Sequence, residues 1–189
     1  IGKRSAIFRE FFIFELQLAL LTKKDGNQLG YAKKYDLKEV ANLTKSLPFE
    51  LSDDQKHVVN EIFADLHSSN QMRRLLQGDV GSGKTVVAVY AIFAAITAGY
   101  QAALMVPTEI LATQHFKKID ELLRPFGIRV ALLTSNTKTL ERREIYRELT
   151  DGTINVVIGT HALIQKNVIF KKLGLVIIDE QHRFGVGQR

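Results

Sequence analysis

Cysteine is absent from all 189 residues, which excludes a disulfide framework, a thiolate metal site and a cysteine nucleophile and is consistent with a reducing compartment. Any zinc chemistry would have to rest on five scattered histidines. Long apolar runs are missing too. The most apolar stretch, residues 11–21, is interrupted by Glu15 and Gln17 and preceded by Arg9 and Glu10, and it falls short of the ~20 apolar residues that a membrane span needs. Lys3 and Arg4 before it imitate a secretory signal, but no small-residue cleavage pattern follows. Internal repeats and low-complexity segments are also lacking. With 46% hydrophobic and 24% charged residues, the composition excludes a disordered or collagen-like chain and leaves one ordinary domain able to bury a real core.

Charge of one sign is scarce where it would be most informative. The net charge is +6, but residues 1–48 hold nine basic and five acidic residues while residues 49–189 hold seventeen and fifteen. The arm is basic and the main body is close to balance, so an anionic partner is permitted but not demanded. The sequence begins at Ile1 and stops at Arg189 just after a rich motif, and we expect it to be a piece of something longer.

An apolar helix is expected over residues 5–22, too apolar all round for a surface helix and therefore buried on two sides or leaning on another domain. Residues 23–27 read as a turn and residues 28–47 as a polar, lysine-dotted connector, with a domain boundary near Leu47-Pro48. Beyond Pro48, short apolar runs alternate with helical stretches, the pattern of a parallel sheet wound with helices. Strands are expected at residues 73–77, 102–106, 129–133, 155–159 and 175–179. Helices are expected at 53–68, 84–98, 110–123 and 140–149. Ligands of such sheets bind at the carboxyl ends of the strands.

Gly78, Asp79, Val80, Gly81, Ser82, Gly83, Lys84 and Thr85 match G-x-x-x-x-G-K-[ST] between an expected strand and an expected helix. Glycines let backbone N–H groups turn around phosphates, and the following helix adds its positive end. Lys84 would place a cation on the β- and γ-phosphates, and the Thr85 hydroxyl would ligate Mg²⁺. The apolar run of residues 175–178 ends in Asp179 and Glu180. Alone, two such acids read as a solvated turn. With a phosphate loop in the same chain, Asp179 becomes the metal-side carboxylate, and Glu180 can orient or deprotonate an attacking water. This pair favours an ATPase that does work over a kinase or a GTPase.

Asp179-Glu180-Gln181-His182 resembles the DExH box of superfamily 2 helicases. Continued through Arg183-Phe184-Gly185-Val186 and Gln188-Arg189, it is similar to the RecG family of ATP-dependent DNA helicases, which remodel branched DNA. Gln77 with the phosphate loop, Pro107-Thr108-Glu109-Ile110-Leu111-Ala112-Thr113-Gln114-His115 as motif Ia, and Gly159-Thr160-His161-Ala162-Leu163-Ile164-Gln165 as the next DNA-contact motif resemble the same family. The transcription-repair coupling translocases share several of these blocks but usually have Glu where Gln181 stands.

The resemblance implies a RecA-like P-loop NTPase lobe with a mainly parallel sheet, residues 48–189, truncated at its C-terminal end. Residues 1–47 would be a helical lead-in from a preceding DNA-binding wedge domain. It implies ATP and Mg²⁺ as cofactors, Lys84, Asp179, Glu180 and His182 as catalytic residues, and Phe49 and Gln55 as adenine-recognising residues. An amide can both donate to and accept from an adenine edge, while Gln55 also reads as a first-turn residue of a helix capped by Ser52. His182 would link the nucleotide to DNA or to the second lobe, or would be a plain surface histidine. Thr108 and Thr160, with Thr134 in a third strip, would hold DNA backbone phosphates, although Ser135 stands where the family commonly has Gly. The cluster Arg142, Arg143 and Arg147, interleaved with Glu141, Glu144 and Glu148, reads as surface ion pairs.

The implied partners are branched or double-stranded DNA (stalled forks, Holliday junctions), the second RecA-like lobe and the wedge domain, in a monomer of the bacterial cytoplasm associated with the nucleoid. A second reading is a nucleotide-gated DNA-binding module without turnover. The family's second-lobe arginine lies beyond the motifs found here. The strand that normally sits between the phosphate-loop strand and the box strand is expected to be missing.

Overall fold

The computed structural model describes residues 30–79 and 81–180. The expected first helix, Val80 and residues 181–189, including His182, lie outside them. Four parallel strands, β1 (Gln101–Met105), β2 (Val130–Leu133), β3 (Val156–Gly159) and β4 (Leu173–Ile178), form one sheet in the order β2-β3-β1-β4. Five α-helices accompany them among the described residues: α1 (Leu37–Ser46), α2 (Asp53–His67), α3 (Lys84–Thr97), α4 (Glu109–Leu123) and α5 (Thr139–Asp151). No described helix is long and apolar enough to cross a membrane.

The register decides where a site can be. Met105 pairs with Gly159 and with Ile178, and Leu133 pairs with Gly159. All four strands therefore end at one level, and the loops that follow them share one edge. Alternation along the strands splits the core into two layers, as the two-residue period of a strand requires. Ala102 and Leu104 of β1 face a cluster built with α1, α2, α3 and α4, while Ala103 and Met105 face a second cluster with Ile145 and Leu149 of α5. Helix α3 is buried along most of its length, including Val89, Ile92 and Phe93. Phe93 meets Phe126 edge-on at 5.1 Å between ring centroids, and full burial of such a side chain stabilises by roughly 1.5–3 kcal/mol.

Buried Gln101 ties the amino end of β1 to its surroundings. Its Nε2 donates to the carbonyls of Leu149 (3.0 Å) and Ile154 (2.8 Å), and its Oε1 accepts the Lys172 amide at 2.9 Å. The polar group is thereby satisfied inside the core, which is what makes its burial tolerable.

Two expectations fail. The stretch read as a connector contains α1, whose first amides at Lys38 and Glu39 are capped by the Asp36 carboxylate. Val40 and Leu43 are buried against the main core, and Tyr90 of α3 donates a hydrogen bond to Thr44 at 2.8 Å. The helical spacing of Val40, Leu43 and Leu47 is present in the sequence, but it lies in a stretch so polar overall that it reads as a connector. The expected strand at 73–77 is not a strand: residues 71–79 have no ladder partner among the described residues. Leu75 is 69% exposed, and the segment is held instead by Arg74, which bonds Asp65 (2.7 Å) and Glu61 (2.5 Å) of α2. An apolar run becomes a strand only when a neighbour completes its hydrogen bonds. Among the described residues the outer edge of β4 also has no partner, with Val176 55% exposed.

Candidate active site

The loop of residues 78–83 enters α3 through Gly83, which has φ +82° and offers no side-chain cap. The first amides of α3 consequently have no side-chain acceptor from the cap position, a ready site for an anion. Lys84 Nζ donates to the carbonyls of Gly78 (2.6 Å) and Asp79 (2.8 Å), folding the loop around its own ammonium. Thr85 lies beside it on the first turn and is half-buried. The left-handed backbone at Gly83 favours glycine, and a Cβ there, 2.3 Å from Gln55 Nε2, would push the tip of the Gln55 side chain aside.

Gln55 shows why. Its Oε1 accepts the Ser52 amide at 3.0 Å, while Ser52 Oγ accepts the Gln55 amide at 3.2 Å, a capping box that starts α2. Its Nε2 donates to the Ser82 carbonyl at 2.9 Å. The capping reading of Gln55 therefore holds, and the same side chain braces the phosphate loop from behind. Phe49 is exposed just upstream of this cap.

Asp179 follows β4, and its amide bonds to the Met105 carbonyl at 2.9 Å, extending the sheet by one residue. Its Oδ1 accepts the Glu180 amide at 2.9 Å, and its Oδ2 lies 2.9 Å from His115 Nε2. The bond to His115 holds the Asp179 carboxyl below the usual aspartate range against the opposing effect of burial, with further lowering from the His115 charge, the Glu180 amide and the Lys84 charge. Helix α3, which begins at Lys84, packs against β4, which runs into Asp179, so two motifs almost a hundred residues apart in sequence belong to neighbouring elements. Glu180 has φ +52°, and among the described residues it alone is a non-glycine residue in left-handed backbone. Such a conformation costs on the order of 1–3 kcal/mol and persists where the surroundings impose it, as functional sites do.

This donor set suits a nucleoside triphosphate with a hard divalent cation: uncapped backbone amides and an ammonium for phosphate oxygens, a hydroxyl and a carboxylate for the metal. Among the described residues no group of three or more His, Asp or Glu could hold a metal by itself. A cation here would need phosphate oxygens to complete its coordination.

The chain is similar to known helicases throughout. The DEAD/DEAH box helicase family matches residues 52–189. The chain belongs to that family. It is 53% identical over its full length to the ATP-dependent DNA helicase RecG of Staphylococcus epidermidis and 49% identical to that of Bacillus subtilis, spanning 28% of the length of each. A structure of RecG bound to a three-way DNA junction superposes with a TM-score of 0.83 at 50% identity, over 94% of this chain and 24% of that one. A hypothetical ATP-dependent RNA helicase from Sulfolobus tokodaii shares the fold alone, with a TM-score of 0.59 at 20% identity over 78% of this chain and 42% of that one. The RecA-like helicase fold expected from sequence is thereby established for this chain.

The expected DNA-contact residues stand along the same edge in different environments. Thr108 is exposed, but its Oγ1 caps α4 by accepting the Leu111 amide at 3.3 Å. Thr134 and Thr160 are only 6% and 2% exposed, and Thr160 Oγ1 has no hydrogen-bond partner. Their exposed neighbours are Ser135, Asn136 and His161. Ser135 Oγ lies 3.4 Å from His161 Nε2, and the carboxylate of Glu109 accepts from the Asn136 amide (3.2 Å) and from its Nδ2 (2.5 Å).

One basic residue also corrects the sequence reading. Arg142 does not form a surface ion pair; its NH2 donates to the carbonyls of Ser135 (2.8 Å), Thr137 (3.1 Å) and Thr134 (3.2 Å), clamping the loop after β2. Glu148 pairs across the fold with Arg129 at 2.6 Å, whereas Arg147 and Glu144 form the exposed pair that was expected, at 3.8 Å. His115 was quoted in motif Ia with no role. Its signal was present, because it occupies the buried stripe of α4 set by Ala112, Ile119 and Leu123 at helical spacing.

Proposed function

We propose that this chain is the ATP-binding motor lobe of a DNA helicase that couples ATP hydrolysis to remodelling of branched DNA in recombination and repair. The observation that carries the reading is the phosphate loop opening without a side-chain cap onto α3, a helix packed against β4, the strand that ends in Asp179. Lys84 and the amides of the phosphate loop hold the β- and γ-phosphates. Thr85 and Asp179 hold Mg²⁺, which supplies charge neutralisation on those phosphates. Glu180 orients the attacking water, His182 relays the nucleotide state, and Phe49 with Gln55 receives the adenine. For Gln55 that role requires its amide to leave the Ser52 and Ser82 bonds that it makes in this structure.

Thr108, Thr134 and Thr160 mark three loops that receive a DNA backbone; DNA as the ligand is supported by the likeness to a RecG bound to a three-way junction. Residues 1–47 lead in from a wedge domain, and the lobe at 48–189 faces a second RecA-like lobe that supplies an arginine to the γ-phosphate. The parent works as a monomer in the bacterial cytoplasm, at the nucleoid.

Binding of a fluorescent ATP tests the reading. Wild-type chain is expected to bind it in a Mg²⁺-dependent manner, and Lys84→Ala to weaken binding by at least about a hundredfold, near 2.7 kcal/mol, with little change in thermal stability. Unaltered binding by the variant would sink the assignment. Turnover is read after splicing the chain in place of the matching segment of the Bacillus subtilis RecG: junction-stimulated ATP hydrolysis is expected, and its absence in a folded chimera that binds ATP would favour a module without turnover.

A further inference from the structure

The Asp179 carboxylate is not free to rotate. One of its oxygens accepts the amide of the next residue, and the other meets a histidine from a helix 64 residues earlier in the chain. Asp179 is ionised, so its oxygens only accept, and His115 Nε2 must carry the proton of the 2.9 Å bond. That assigns the ring tautomer or the doubly protonated ring, either of which donates at Nε2. The imidazole is mostly buried, with 14% of its side chain exposed. It is fixed from below because it shares the buried stripe of α4 with Ala112 and Ile119. A long flexible donor would hold the carboxylate loosely. A ring whose own helix is packed into the core holds it in one orientation.

We propose that His115 is a positioning residue for Asp179, setting the direction in which the carboxylate presents its remaining lone pairs to the nucleotide-bound cation. This rests on the nucleotide reading above. The physical basis is general: carboxylates that bind metals are themselves oriented by hydrogen-bond donors, and loss of such a donor weakens metal affinity by about 10–100-fold. A histidine serving only to join α4 to the sheet would affect stability and every mode of nucleotide binding alike. An orienting histidine affects only the mode that uses the metal.

The test titrates the chain with ribose-labelled fluorescent ATP in saturating Mg²⁺ and again in EDTA. Expected for His115→Ala is a loss of about tenfold or more in Mg²⁺ and no change in EDTA. His115→Gln, whose amide Nε2 can stand near the lost ring nitrogen, should recover most of the Mg²⁺-dependent affinity, and the shorter His115→Asn should not. Equal affinity of His115→Ala and wild type in Mg²⁺ would overturn the proposal, as would an equal loss with and without the metal, or Gln no better than Asn. Should His115→Ala fail to fold, the contrast between Gln and Asn decides. Lys84→Ala is the control for the site itself: if it binds like wild type, the nucleotide reading and this proposal fall together; if it does not bind while His115→Ala binds normally, only the positioning role falls.

Discussion

The two candidate stretches near the sheet's carboxyl edge are built in opposite ways. At the phosphate loop and the box, the reactive groups are presented: α3 has no side-chain cap, Lys84 holds only backbone carbonyls, and the Asp179 carboxylate is oriented from two sides. At the loops after β1, β2 and β3, the named hydroxyls are engaged or hidden, since Thr108 caps its own helix and Thr134 and Thr160 are buried. The outward polar groups there are Ser135 and His161, which lie against each other, and Asn136, which bonds Glu109, with the loop after β2 held from behind by Arg142. A triphosphate requires a preformed cradle, because many donors must converge on a few oxygens. A nucleic-acid backbone is held at intervals, so rigid loops with modest donors suffice.

Three substitutions sharpen this contrast. Gly83→Ala should have the largest effect, because it places a side chain at φ +82° and drives a Cβ toward Gln55 Nε2. A loss of about 1–3 kcal/mol in stability, seen by denaturant unfolding, should accompany loss of nucleotide binding, with the loops after β2 and β3 still able to bind DNA. Arg142→Ala should act at the other stretch. Removing a donor shared by three carbonyls should cost about 1–3 kcal/mol and weaken junction binding in a gel-shift titration, leaving ATP affinity unchanged. Equal damage to both ligands would mean that the two stretches are not separable.

The smallest effect is expected from Thr160→Val. The buried Oγ1 has no partner, and exchange of an unsatisfied hydroxyl for a methyl should leave the thermal midpoint unchanged or raise stability by about 1 kcal/mol. If junction affinity nevertheless falls, the hydroxyl turns outward to DNA in the complex. If nothing changes, the neighbouring Ser135 and His161 carry the contact.

The sequence makes much of this legible because the phosphate loop, the box and four of the five expected strands depend on local pattern. Apolar runs at 102–106, 129–133, 155–159 and 175–179 lie within a residue or two of β1 to β4. The failures have a common origin in contacts that no local pattern encodes. Residues 73–77, Arg-Arg-Leu-Leu-Gln, are read as a strand only from their place before the phosphate loop, but ladder hydrogen bonds belong to pairs of segments, and this segment is anchored by Arg74 on α2 instead. Helix α1 is the exception, because Val40, Leu43 and Leu47 do recur at helical spacing after the Asp36 cap, and only the polarity of the stretch around them hides it. Arg142 resembles its neighbours Arg143 and Arg147 in sequence, and only the position of the loop after β2 distinguishes it. His115 was the most discoverable of the missed residues, a titratable group inside an apolar helical stripe.

Hydrogen exchange of backbone amides, measured with Mg²⁺-ATP and separately with a three-way DNA junction, tests the central claim directly. Residues 81–86 and 179–180 should gain protection together on adding Mg²⁺-ATP, while residues 135–136 and 161 respond to the junction. Protection of the phosphate loop without any change at Asp179 and Glu180 would contradict the claim that the two motifs form one nucleotide site.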